Sequence, residues 1–296
     1  MDRKGFGLVE VLVSMTVLLI ILGITYTSFN SLLKGFKRES KSIETQVEKA
    51  SALELVRLDI EHAGYGISAN CSDKIMELNG TTSFIIRSTL NNTNEKTRGW
   101  VIRNCLTNST VVDKREDTSN DDLVYLTLAN KTFVANSDIS SCPGSDVYIA
   151  FPYDSSGDGC ESDPQFCTKI TYSLSSNQPL SKCHPGTYNL LRSVNSAAST
   201  PILNCVADVA LRFDLDTNND GIVDVTNASS LPSTNSALRS QLKNVKVYLL
   251  VQEGQEDKKY TFSGSTTIDG VTLSRPSNSD HYRWKIIKLS IKPLNL

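Results

Sequence analysis

Between Phe6 and Phe29 the chain carries a single charge, Glu10. A run of this length is enough to cross a bilayer core as a helix, which takes about 20 residues. It therefore has to be covered by lipid or by other protein. A carboxylate in such a run costs about 2.5–3.5 kcal/mol on insertion scales, which makes Glu10 a functional-site candidate in need of a cationic partner. A secretory signal peptide would have an apolar region of only about 7–15 residues followed by a small-residue cleavage site. This run is longer, holds Glu10 and has no such end.

Lys4-Gly5-Phe6 followed by Leu8-Val9-Glu10 and an unbroken apolar helix resembles the class III signal of type IV pilins and type II secretion pseudopilins. The resemblance implies cleavage between Gly5 and Phe6 by a prepilin peptidase and N-methylation of Phe6. It also implies that Glu10 pairs with the N-terminal amine of a neighbouring subunit. Two departures are Gly7, where many pilins have Thr or Ser, and the absence of proline from the apolar helix.

Read in order, the chain divides into a leader (1–5), a transmembrane and assembly helix (6–29), an amphipathic continuation (30–66) and a β-rich domain (67–296). Lys34, Lys37 and Arg38 mark the exit from the apolar layer. Beyond them Ile43, Val47, Ala50, Leu53, Val56, Ile60 and Ala63 recur at helical spacing, with charged residues on the other faces. Gly64 and Gly66 end the pattern. Phe6 to Ala63 is 58 residues, or ~87 Å of helix. The helix exit, Leu58-Asp59-Ile60-Glu61-His62-Ala63-Gly64-Tyr65-Gly66, is similar to that of PilW-like minor pilins. The stretches 243–251 and 283–296 resemble the closing strands of the same proteins, whereas 67–200 matches no family.

After Gly66 short β-type runs alternate with Asn/Ser/Thr/Gly/Asp turns. Strands are expected at 83–88, 99–103, 123–128, 132–135, 147–151, 169–174, 188–194, 206–214, 245–252, 259–264 and 284–291. A short helix is expected at 235–241. One long N-terminal helix (about 6–64) followed by many antiparallel strands is an α+β chain. The pilin resemblance adds that the helix packs on the sheet.

The net charge of −2 comes from interspersed acids and bases, with no basic stripe of the kind that nucleic acid requires. Seven cysteines all lie beyond the helix, and none forms a Cys-x-x-Cys pair. Behind a membrane segment they read as disulfides formed in an oxidising compartment, with an odd thiol left over. Their pairing stays open, as does the minor alternative of a metal at Cys183-His184.

A second motif starts at Asp216: Asp216, Asn218, Asp220 and Asp224 fall at loop positions 1, 3, 5 and 9, with Gly221 at position 6. That is the ligand spacing of an EF-hand-like Ca²⁺ loop, and Ile222 would supply a backbone carbonyl. Position 12 is Asn227 instead of Glu, so the loop is not a complete EF-hand, and Asp214 or Asp208 could complete the shell. The competing reading is an acidic turn between two strands. A weaker echo spans Asp154–Asp163. No nucleophile constellation or phosphate loop is present in the sequence, so no enzyme is expected.

The resemblance implies a PilW-like minor pilin of the type IV pilus, helping to initiate assembly within a priming or tip complex. It would first be a single-pass inner-membrane protein with its domain in the periplasm or outside, and then part of the pilus at the cell surface. Its partners would be major and minor pilins, the prepilin peptidase and the inner-membrane assembly platform. The alternatives are a J-type minor pseudopilin of type II secretion and a membrane-anchored adhesin-like module.

Overall fold

The computed structural model describes residues 7–67, 71–80, 82–89, 101–112, 122–127, 132–136, 147–153, 167–175 and 178–296. It divides into two compact units, Met1–Ala50 and Ser51–Leu296.

Helix α1 (Leu8–Glu61) begins at Gly7, whose carbonyl accepts from the amides of Glu10 and Val11 at 3.0 and 3.4 Å. Its segment Leu8–Leu33 has mean hydropathy 2.5, and none of it is buried. Several hydroxyls in this segment are satisfied by the helix's own carbonyls. Thr16 and Thr25 donate to the carbonyls four residues back at 2.7 and 2.8 Å, and Ser14 donates likewise to Glu10. Internal satisfaction is what a spanning helix needs where no water can serve.

The second unit takes in the last turns of α1. Ala52, Val56 and Ile60 are buried there, with Ala63 just beyond the helix. Among the described side chains, this face differs from the expected stripe at Ala50, which is exposed, and Leu53, which is only half-buried, while the side chains of Ile43 and Val47 lie outside those described. The four-residue step from Ala52 stays on one side of the helix, whereas Leu53 falls at its margin.

The strands in chain order are β1 (Met76–Asn79), β2 (Ser83–Ser88), β3 (Val101–Asn104), β4 (Ser109–Val112) and β5 (Asp122–Thr127). Next come β6 (Thr132–Asn136), β7 (Val147–Tyr153), β8 (Thr168–Leu174), β9 (Tyr188–Val194), β10 (Thr200–Leu215) and β11 (Val225–Ala228). The chain closes with α2 (Asn235–Gln241), β12 (Leu242–Glu253), β13 (Thr267–Ile268), β14 (Val271–Thr272) and β15 (Arg283–Ile291). Most expected strands and the short helix are therefore present. Residues 259–264 are the exception. They form no strand, because Tyr260 closes a turn on Asp257 and Phe262 hydrogen-bonds to Asp280.

The main sheet is eight-stranded in the order β1-β2-β8-β9-β10-β12-β15, with β11 also on β10, and its pairs are antiparallel. The stretch between β2 and β8 supplies β3–β7, which make a separate five-stranded sheet ordered β4-β3-β7-β5-β6. The centre that matched no family thus splits between two sheets, an arrangement that periodicity cannot reveal.

Strand β12 explains where the core sits. Val245, Val247, Leu249 and Val251 join Val56 and Ile60 in one cluster, while Tyr248 and Leu250 join Val271, Leu273 and Trp284 in another. Both faces are covered over its second half, so residues 247–252 are buried without a break where a half-exposed strand would alternate. The second cover is the segment after β12, with Phe262, Ile268 and Tyr282 packed against it. Each fully buried side chain of this size contributes about 1.5–3 kcal/mol.

Candidate functional site

At the start of α1 the Glu10 carboxylate accepts the Gly7 amide at 3.1 Å. Glu10 is the third residue after the capping residue Gly7, so its side chain reaches back as in a capping box. The side chain is exposed, as are its apolar neighbours Leu8, Val9, Val11 and Leu12. A carboxylate near a helix N-terminus is favoured by the helix dipole. It also remains accessible to a cation supplied by another chain. Gly5 and Phe6 lie outside the described residues.

The acidic loop from Asp216 to Asp224 links β10 to β11. The buried Asp216 carboxylate accepts the amides of Asp220 and Gly221 at 3.1 and 2.9 Å and stands 3.3 Å from the Lys243 ammonium. Burial pushes this carboxyl up, but the Gly221 amide and Lys243 outweigh it and hold it below the ordinary carboxylate value. Asn218 accepts from the Asp220 amide, Asp220 from the Ile222 amide, and Asp224 from the amides of Thr217 and Asn218. Gly221 has φ +90°, which explains a glycine at the turn. The two acids considered for completing a shell are engaged elsewhere. Asp214 pairs with Lys246 at 2.7 Å and accepts from Asn227 and Asn244, and Asp208 accepts the amides of Val209 and Ser274. Among the described residues no three His, Cys, Asp or Glu side chains converge as a metal-holding group. The echo at 154–163 lies outside the described residues.

The Cys183-His184 pair is not a metal site. Cys183 forms a disulfide with Cys205, and His184 accepts the Gly186 amide on Nδ1 and lies edge-on to Tyr282 at 5.0 Å. Cys105 and Cys167 are also disulfide-bonded.

Sequence reading passed over Asp59. This carboxylate is 1% exposed on α1. It accepts the Tyr172 hydroxyl at 2.5 Å and the Arg192 guanidinium at 2.7 Å (Nε) and 3.2 Å (Nη2). Burial, together with the Asp59 charge, raises the Tyr172 hydroxyl far above its ordinary pKa, so it stays a donor. The Tyr172 ring stacks on Phe84 at 4.7 Å. One signal was available: Asp59 falls between Val56 and Ile60, on the apolar side of the helix.

Just past α1, Arg239 of α2 donates to the carbonyls of Gly64, Ile67 and Asn295. Its burial lowers the guanidinium to about 10. Asn235 of α2 accepts the Ile75 amide and donates to the carbonyls of Cys71 and Asp73. The Leu294 amide donates to the Glu61 carbonyl at 2.9 Å. The end of α1, α2 and residues 294–296 thus meet at one junction.

Compared with known proteins, residues 1–26 match the prokaryotic N-terminal methylation motif. The chain thus resembles type IV pilins in its first 26 residues, where the methylation motif leads into an exposed apolar helix, and its body is antiparallel α+β. No curated protein matches the chain. Among solved structures, a type IV-like pilin from Thermus thermophilus is similar at 10% identity with TM-score 0.37, over 85% of this chain and 97% of that one.

Proposed function

We propose that the protein is a minor pilin of the PilW-like type, a structural and non-enzymatic subunit that helps to initiate a type IV pilus within a priming or tip complex. The observation that carries this reading is Glu10, a lone carboxylate held at the start of an exposed apolar helix within a methylation motif. Prepilin peptidase would cut between Gly5 and Phe6 and methylate Phe6. The apolar helix would then leave the inner membrane to pack among the helices of other major and minor pilins at the assembly platform. Glu10 would exchange its bond to the Gly7 amide for the charged amine of a neighbour, because a buried charge is tolerated when paired. A large, disulfide-bearing body supports a place at the tip, where subunits need not repeat. Glu10→Ala tests the reading. Loss of pili with membrane insertion and cleavage intact supports it. Normal piliation with loss of type II secretion would favour a J-type pseudopilin, and normal assembly of both an adhesin-like module.

We also propose Ca²⁺ as a structural ion of the Asp216–Asp224 loop. The oxygen spacing and the turn at Gly221 support this, and Lys243 is the cation that Ca²⁺ would displace from Asp216. Asp216, Asn218, Asp220 and Asp224 would hold the ion with the Ile222 carbonyl.

A further inference from the structure

We infer that Asp59 is a positioning residue that sets the register of α1 on the main sheet. The inference goes beyond the assembly reading and does not depend on it. The apolar contact of the helix is periodic: Ala52, Val56 and Ile60 are buried at a four-residue step. A periodic stripe fixes which side of a helix faces the sheet, but it fixes axial position poorly. Sliding α1 by one turn, about 5.4 Å, places Val56 where Ala52 or Ile60 was and exchanges one aliphatic side chain for another. Cores tolerate such exchanges when the total volume is roughly kept.

Asp59 breaks the period. Its neighbours one turn away are Leu55 and Ala63, and neither side chain offers an acceptor. In a slipped register the Arg192 guanidinium and the Tyr172 hydroxyl would face one of these in place of the carboxylate that they now share. Asp59 itself would move to an apolar place. Two donors on neighbouring strands β8 and β9 read one acceptor on the helix, and only one axial position satisfies all three groups. Buried ion pairs add little net stability over apolar replacements, but removing one member is costly, and register selection is their best-attested use.

The Leu294 amide reports the register, because it reaches the Glu61 carbonyl at 2.9 Å in the observed position. The experiment uses the full chain in detergent micelles and replaces the polar set by apolar groups (Asp59→Leu, Arg192→Met, Tyr172→Phe). The expected result is a melting midpoint close to the parent's, doubled amide resonances at the junction, and Leu294 exchange faster by about tenfold or more. A single set of resonances with parent-level protection at Leu294 overturns the inference. A second variant, Asp59→Asn with Arg192→Gln, keeps a neutral hydrogen-bonding key, so the test survives if the apolar triple fails to fold. It is expected to melt earlier but to hold Leu294 protection and one set of resonances. Loss of protection in this neutral pair also overturns the inference.

Discussion

Lys243 places its ammonium 3.3 Å from the buried carboxylate of Asp216, so the acidic loop already holds one positive charge supplied by strand β12. That pairing makes the calcium proposal sharply testable. If Ca²⁺ displaces Lys243, a chelator lowers the melting temperature of the parent, and Asp220→Ala abolishes the shift. If Lys243 is the resident counter-charge, chelator changes nothing and Lys243→Ala alone destabilises. That second pattern removes calcium from the loop.

Acid should weaken the fold through a defined group of aspartates. Burial raises Asp214, but the Lys246 ammonium and the Asn227 amide more than offset it. Asp269 is lowered by Lys288 and Tyr248. A carboxyl lowered in the folded state contributes stability that is fully present above its unfolded pKa, about 3.9, and is lost as pH falls through the folded value. Denaturant midpoints should therefore be flat from pH 7 to about 5 as far as these groups are concerned, and fall below about 4. Asp214→Asn should lower stability at pH 7 and flatten the acid limb. An unchanged limb would show that the Lys246 contact carries no linkage.

Gly66 has φ +73°, and a Cβ there would lie 2.1 Å from the Thr89 hydroxyl, whose residue also hydrogen-bonds to Tyr65. Gly66→Ala should cost about 2–4 kcal/mol, since backbone strain and a steric clash act together. Urea melts of Gly66→Ala against Gly80→Ala separate the two effects. Gly80 has φ +72° with nothing within 4 Å of a Cβ, so it reports strain alone.

Arg239 binds three carbonyls from two separate segments, 64–67 and 295. Arg239→Gln should lower stability by about 2–3 kcal/mol, within the range for hydrogen bonds to a charged group. Arg239→Lys should rescue little, because one ammonium cannot reproduce the planar fork. Full rescue by lysine would mean that charge, and not geometry, holds the junction.

The Cys183–Cys205 bridge joins residues 22 apart in sequence. Its loss in a Cys183→Ser/Cys205→Ser variant should cost about 3 kcal/mol on the chain-entropy estimate. Thermal melts of the oxidised parent and the double variant measure this directly, and equal midpoints would mean that neighbouring contacts fix the loop alone.

How much of this was legible follows from what each signal measures. The 235–241 helix and the 188–194 strand are local patterns, and they appear where periodicity places them. Strand β12 was also legible, but its burial on both faces was not, since that depends on the segment after it, mostly turns with the short pair β13–β14, folding across it. The same segment misled the reading at 259–264, where alternating Tyr260 and Phe262 serve as a cover instead of a strand. Of the sites, the Glu10 spacing and the Asp216–Asp224 pattern were visible because each lies within a few residues. The Asp59–Arg192 pair was not, because its members are 133 residues apart and only the sheet brings them together.

The bond from the Leu294 amide to the Glu61 carbonyl has a mechanical consequence. It places the end of α1 three residues from strand β15, which is zipped to β12 by nine consecutive pairs without a register break. A pull delivered along the helix is therefore passed into a long ladder at the edge of the sheet and shared among many bonds. Tension that would peel a loop open finds instead a seam that must give way all together.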